Sequence, residues 1–265
     1  MDSYSVYQVT FLRSLGRTIP LLVMAFLQCG IKNALTTQKP LDHAIRLVVG
    51  LLYTFSFMLA LKLDTLAVIY SLSYTTPLFM IGLSVLILKE KVGFERFLAA
   101  LVGMIGVIFI VKENFFSLKI TAIIVLFGSF LSALNKILMR RLTHTENNLT
   151  IVLYPNIAML IIMLPCIFIF DSWQSLPWQD LSLFGLIGCI TAAAQYLIIQ
   201  ALRYTQASML APCDYSTLFW VIALDFIWWD TMIEWSTLIG AALIISSNLF
   251  ILYLARKMPE IKEPS

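Results

Sequence analysis

"APCDYSTLFW" (residues 211–220) lies inside an apolar stretch running from about Ala207 to Trp229. Asp214 stands there two residues after a proline and roughly three helical turns from the nearest basic residue along the chain. A run of this length matches the roughly 20 residues that a helix needs to cross a bilayer. A carboxylate in such a helix requires a partner, water or a ligand. The stretch therefore poses both questions at once: what kind of fold holds it, and what its acid is for.

Working outward, the whole chain has the same character. Its 265 residues are 60% hydrophobic and 12% charged, with a mean hydropathy of +0.89. These values are incompatible with an ordinary soluble domain and place the chain among all-α, polytopic membrane proteins. Apolar runs of spanning length occur at about 6–29, 44–62, 65–88, 94–111, 119–140, 149–170, 181–202, 206–229 and 235–255. Nine helices are expected, because backbone polar groups in lipid must be satisfied internally and these runs are too long and too continuously apolar for barrel strands. The connections are short, so one integral-membrane domain accounts for the chain.

Basic residues fix an orientation. Lys32, Lys39, Arg46, Lys89, Lys91, Arg96, Lys136, Arg140, Arg141, Arg203, Arg256, Lys257 and Lys262 fall on one side of the nine-span arrangement; Lys62, Lys112 and Lys119 fall on the other. The first side is expected to be cytoplasmic, with the C-terminus inside and Met1 outside. The net charge of +3 is spread between apolar segments, which gives no face for nucleic acid. Cys29, Cys166, Cys189 and Cys213 lie in apolar stretches without metal-ligand spacing and read as small buried hydrophobes. His43 and His144 are far apart in loops, and neither G-x-S-x-G nor H-E-x-x-H is present, so catalysis has almost nothing to work with. No cofactor or metal is expected. Without a nucleotide-binding motif, any transport is expected to run on gradients or exchange.

The chain also repeats itself. A shift of 141 residues lays Ala60-Leu61-Lys62 on Ala201-Leu202-Arg203, Tyr74 on Tyr215 and Thr76 on Thr217. Lys62 and Arg203 fall on opposite sides, so the copies run oppositely through the membrane. Inverted repeats of this kind are a recurring construction of secondary transporters, with the substrate site near the midplane. The expected division is 1–112 for the first repeat and 113–265 for the second. The fifth span opens the second repeat, and its counterpart falls at about −22 to −1, ahead of Met1. The arrangement is thus expected to be a five-plus-five plan of ten helices lacking its first, with about 20 to 35 further residues encoded upstream.

Residues 60–111 and 206–257 resemble the two halves of an EamA-type carrier of the drug/metabolite transporter superfamily. The features that carry the likeness are Pro77 with Glu90 at the end of its helix, Ala211-Pro212 followed by Tyr215 and Leu218, the LIGAALI stretch from Leu238 to Ile244, and Arg13. Within that family, "HAIRLVV" (residues 43–49) and the AP-x-x-Y-x-x-L segment most resemble the S-adenosylmethionine uptake carriers of intracellular bacteria. The glutamate usual at the end of the ninth family helix is here Asp230. The resemblance implies a multi-pass inner-membrane carrier that moves a small polar metabolite by alternating access. S-adenosylmethionine or an amino-acid-like or cationic solute fits that description. Efflux of drugs or metabolites, and a non-transporting assembly role, are the alternatives. The expected partners are a small-molecule substrate and the lipid bilayer, with a homodimer left open and no nucleic acid.

Six side chains are candidates for the substrate site: Asp214, Tyr215, Tyr74, Gln195, Asn135 and Arg13. Asp214 either faces a cavity, where it binds a cationic group or carries a proton, or caps the half-helix that begins after Pro212. Tyr74 and Tyr215 occupy equivalent places in the repeats and form either cavity walls or ordinary packing. Asn135, Gln195 and Gln200 serve as interhelical hydrogen-bonding groups or substrate contacts, with the cavity favoured for Gln195 and helix pairing for Gln200. Arg13 and Arg17, one turn apart, point at a buried acid, at anionic substrate groups or outward to headgroups. The glycines at 103, 106, 185 and 188 are expected to allow close helix approach.

Overall fold

A computed structural model describes residues 5–63, 66–90, 92–111, 120–170, 173–218, 220 and 235–257. Its regular elements are helical: α1 (Val6–Gln28), α2 (Ile31–Ala34), α3 (Pro40–Leu63), α4 (Leu66–Ser73), α5 (Thr76–Leu88), α6 (Phe94–Val111), α7 (Ile120–Leu142), α8 (Asn148–Ile169), α9 (Trp178–Tyr204), α10 (Ala207–Leu210), a 3-10 turn (Ala211–Tyr215) and α11 (Trp235–Lys257). Among the described residues there is no strand. Among the described residues five helices are long and apolar enough to cross a membrane: Tyr7–Gln28, Pro40–Leu63, Ile120–Leu142, Asn148–Ile169 and Trp178–Tyr204. Large apolar side chains stand open along them, such as Leu27 at 75% and Phe168 at 76%. Such exposure would be costly in water and is ordinary against lipid. Asp230, Lys91, Lys112, Lys119, Lys262 and residues 221–229 of the eighth expected span lie outside the described residues.

Two of the expected spans are not continuous helices. The run at 65–88 breaks at a turn over Tyr74 and Thr75, and the run at 206–229 passes from the single turn of α10 into the 3-10 segment. Proline supplies the reason in both cases. Pro77 and Pro212 lack an N–H and crowd the carbonyl four residues earlier. At the first break the Thr76 hydroxyl donates to the Ser73 carbonyl at 2.7 Å, and Thr75 Oγ1 donates to the Leu72 carbonyl at 2.7 Å. Hydroxyls thus take over acceptors that a continuous helix would have used.

The chain forms two compact units, Met1–Leu47 with Met139–Arg203, and Val48–Leu138 with Tyr204–Ser265. Each draws on residues from both sides of position 112. In the first unit α1 lies along α8, and its start is fastened by a reciprocal pair: Gln8 Nε2 donates to the Gln174 carbonyl at 2.7 Å, and the Gln174 N–H donates to Gln8 Oε1 at 3.0 Å. Gly16 faces Gly188 and the Phe184 carbonyl so closely that a Cβ on Gly16 would stand 2.8 Å from that oxygen.

In the second unit α6 runs along α11. A Cβ on Gly106 would lie 2.7 Å from the Gly240 carbonyl oxygen, and Ser247 Oγ donates to the Ala99 carbonyl at 2.6 Å. Gly185, by contrast, has open space beside it. Met104, Val107, Tyr215, Leu218 and Ile244 form one core of this unit, and Ala60, Ile69, Leu72, Ala122 and Val125 form another.

Candidate functional site

The placement of Asp214 begins with how α10 starts. Its N-terminal N–H groups have no intrahelical acceptors. The Glu90 carboxylate supplies them from the end of α5: Oε1 accepts the Ala207 N–H at 3.0 Å, and Oε2 accepts the Ser208 N–H at 3.2 Å and the Ser208 hydroxyl at 2.9 Å. A carboxylate there also complements the positive end of the helix. Arg96, only 1% exposed, donates to the same Ser208 Oγ at 2.6 Å and to Gln206 Oε1. Sequence reasoning noticed Glu90 only as part of a family pattern and counted Arg96 as a loop cation. Together they set the start of the segment that carries Asp214.

The partner of Asp214 is Lys136. The Lys136 ammonium donates to Asp214 Oδ2 in an ion pair whose side chains keep 26% and 37% exposure. Lys136 lies six residues before the end of α7, so the pair sits about 9 Å from that end and one turn deeper than Arg140. At that depth both charges are expensive in hydrocarbon unless paired and facing polar space. Orientation reasoning had counted Lys136 with the charges of its helix end. A signal was available: a third basic residue one turn deeper than Arg140 in an otherwise apolar helix.

The tyrosines bracket this pair. Tyr215, next to Asp214, is fully buried, and its hydroxyl has no hydrogen-bond partner among the described residues. Its ring lies against Tyr74 with centroids 6.3 Å apart and planes at 41°. On the other side it fills the space left by Gly103. Tyr70, one turn before Tyr74, meets Phe57 edge-on with centroids 5.8 Å apart, and Phe57 in turn lies 6.3 Å from Tyr53. Tyr53 opens onto a small cleft between α3, α4 and α7 that is also lined by Phe57, Ser73, Gly128 and Ser129. Ring contacts thus run from this cleft through Phe57 to Tyr70, and a separate contact joins Tyr74 to Tyr215 beside the ion pair.

The remaining candidates have other contacts. Asn135 precedes Lys136 on α7, with its Nδ2 3.3 Å from where a Cβ on Gly50 would stand. Gln195 belongs to the other compact unit, where its Oε1 accepts from Asn156 Nδ2 at 3.4 Å. Arg13, in that same unit, is exposed on α1, and its carbonyl accepts Arg17 Nε at 3.2 Å. The structure thus brings together Asp214, Tyr215 and Tyr74, and adds Lys136. Chemically the cluster offers a carboxylate, an ammonium, a free phenol and aromatic faces. No group of metal-ligating side chains occurs among the described residues.

Comparison with known proteins gives a consistent frame. The model of the EamA-like transporter family matches residues 1–112 and 119–253. The S-adenosylmethionine uptake transporter of Rickettsia prowazekii is 26% identical over 262 residues, which cover 98% of this chain and 87% of that one. The pseudopaline exporter of Pseudomonas aeruginosa is 23% identical over 239 residues, 90% of this chain and 83% of its own. A crystal structure of a protein with 19% identity superposes with a TM-score of 0.77, covering 94% of this chain and 88% of that one, a likeness of fold.

Proposed function

The chain belongs to the EamA-like transporter family, and from that premise we propose that it is an inner-membrane carrier for a small polar metabolite bearing a cationic group, with Asp214 as the carboxylate that binds it. Membership makes it a multi-pass membrane transporter; the solute, the site and the working cycle are the proposal. The single observation that carries it is the half-exposed ion pair of Asp214 with Lys136 inside an apolar helix bundle. Tyr74 and Tyr215 supply aromatic faces beside it, which attract cations through the ring quadrupole. By the 141-residue offset Tyr74, at the first break, matches Tyr215, at the end of the 3-10 segment, and the two stretches matched by the family model support a repeat. Irregular backbone of this kind is tolerated at membrane depth where it lines a cavity. Alternating access around the two breaks is the corresponding cycle, with the C-terminus on the cytoplasmic side as the basic residues favour.

The likeness to an uptake carrier of S-adenosylmethionine makes that compound the first solute to try. Proteoliposomes holding the purified protein are expected to accumulate radiolabelled S-adenosylmethionine saturably. Asp214→Asn, which keeps the shape and removes the charge, is expected to lower uptake at least tenfold at unchanged membrane insertion. Wild-type kinetics in that variant would remove Asp214 from the site. The likeness to an exporter favours a second reading of direction; loss of label from preloaded vesicles, faster than its uptake under the same gradient, would establish it.

A further inference from the structure

Lys136 gives Asp214 a counter-ion built into the chain, and this restricts what a solute must carry to open the pair. Resting on the reading of Asp214 as a site carboxylate, we infer that the transported solute is a zwitterion of the amino-acid type. Its cationic group takes the place of Lys136 on Asp214, and its carboxylate takes the place of Asp214 on Lys136.

The argument is one of charge balance in a poorly screened space. The empty site holds one positive and one negative group and is neutral. A simple cation would leave two positive charges facing one carboxylate, with the Lys136 ammonium stripped of its partner at a depth where an unpaired charge is costly. A simple anion would leave the reverse imbalance. A molecule carrying both signs exchanges one pair for two, and no charge is stranded.

Geometry agrees with this exchange. Both side chains keep an open face, 26% for Lys136 and 37% for Asp214, so each can meet an incoming group before releasing the other. The lysine has four rotatable bonds with which to follow. The fully buried hydroxyl of Tyr215, which has no hydrogen-bond partner among the described residues, stands on the residue next to Asp214. A phenol is both donor and acceptor and can serve either end of such a head group. On this assignment Lys136 is a specificity-determining residue: it makes the carboxylate of the solute a requirement.

The test compares solutes that differ by that carboxylate alone. Wild-type proteoliposomes are offered radiolabelled methionine, a net-neutral zwitterion, and S-adenosylmethionine, whose sulfonium is a further charge outside the amino-acid head group that meets the pair, with the decarboxylated form of each. The zwitterions are expected to be taken up at least tenfold faster than their decarboxylated partners. In Lys136→Met, and in Lys136→Gln as a second variant should the first fold poorly, that preference is expected to fall to about twofold or less, with the amines gaining. Equal uptake of both forms by the wild type, uptake of no zwitterion at all, or an unchanged preference in the well-folded Lys136 variants would overturn the inference. Loss of all uptake in Asp214→Asn alongside any of those results would leave Asp214 in the site and remove only the zwitterion requirement. Undiminished uptake in Asp214→Asn would remove both.

Discussion

The carboxylate of Glu90 closes the N-terminus of α10 by accepting both the N–H and the hydroxyl of Ser208, 118 residues further along the chain. Glu90→Ala leaves two backbone donors and a hydroxyl without their acceptor. A lost cap of this sort costs about 0.5–2 kcal/mol, so the variant is expected to melt earlier in detergent and to exchange the Ala207 and Ser208 amide hydrogens faster. Glu90→Gln keeps an acceptor oxygen and should recover part of the loss. Amide exchange at Ala207 and Ser208 equal to wild type in the alanine variant would mean that α10 is held by something else.

Gly103 is set directly against the Tyr215 ring, where a Cβ would overlap Cδ2 and Cε2. Tyr215 is fully buried and cannot swing out freely. Gly103→Ala is therefore expected to destabilise the protein by about 1–3 kcal/mol through overpacking and to lower transport by displacing the phenol. Gly82→Ala, on a helix face with nothing within 4 Å, provides the control and should match wild type in both thermal melting and uptake. Equal behaviour of the two variants would contradict the close approach.

The ion pair of Lys136 and Asp214 makes a statement about coupling. Removing either partner strands a charge, whereas Lys136→Met with Asp214→Asn removes both. The stranded charge costs less than the roughly 3–5 kcal/mol of a fully buried pair, because both side chains are partly open. The double variant is expected to be more stable than the sum of the single losses predicts, by about 0.5–3 kcal/mol, in denaturation of the purified protein. Strict additivity would show that the two side chains do not depend on each other.

Much of this was legible in the residues and some was not. Apolar runs carry the membrane-helical class, because lipid leaves the backbone so few choices. The break at Pro212 was one of two readings of its segment, whereas 65–88 was expected as one continuous helix. Pro20, Pro155 and Pro165 stand inside unbroken helices, so a missing N–H does not by itself decide where a helix breaks. What local reasoning cannot supply is the partner of Asp214. Lys136 is 78 residues away, and it resembles the Arg140 and Arg141 beside it when charges are counted by helix end. The capping role of Glu90 was hidden for the same reason: the N–H groups it serves belong to a helix on the far side of four intervening spans. Sequence periodicity reports which face of a helix is apolar, but it does not report which distant helix will meet that face.

The bonds that fasten the second unit also impose an order on its making. Arg96 is held by Gln206 and Ser208, at separations of 110 and 112 residues, and Ala99 by Ser247, at 148. During synthesis α5 and α6 leave the ribosome long before these partners exist. Until about residue 208 has been translated, the Arg96 guanidinium and the Glu90 carboxylate wait without them, and the glycine face of α6 has no α11 to receive it. The bonds that close this unit can therefore form only after residue 208, and that between α6 and α11 only after residue 247, has been made.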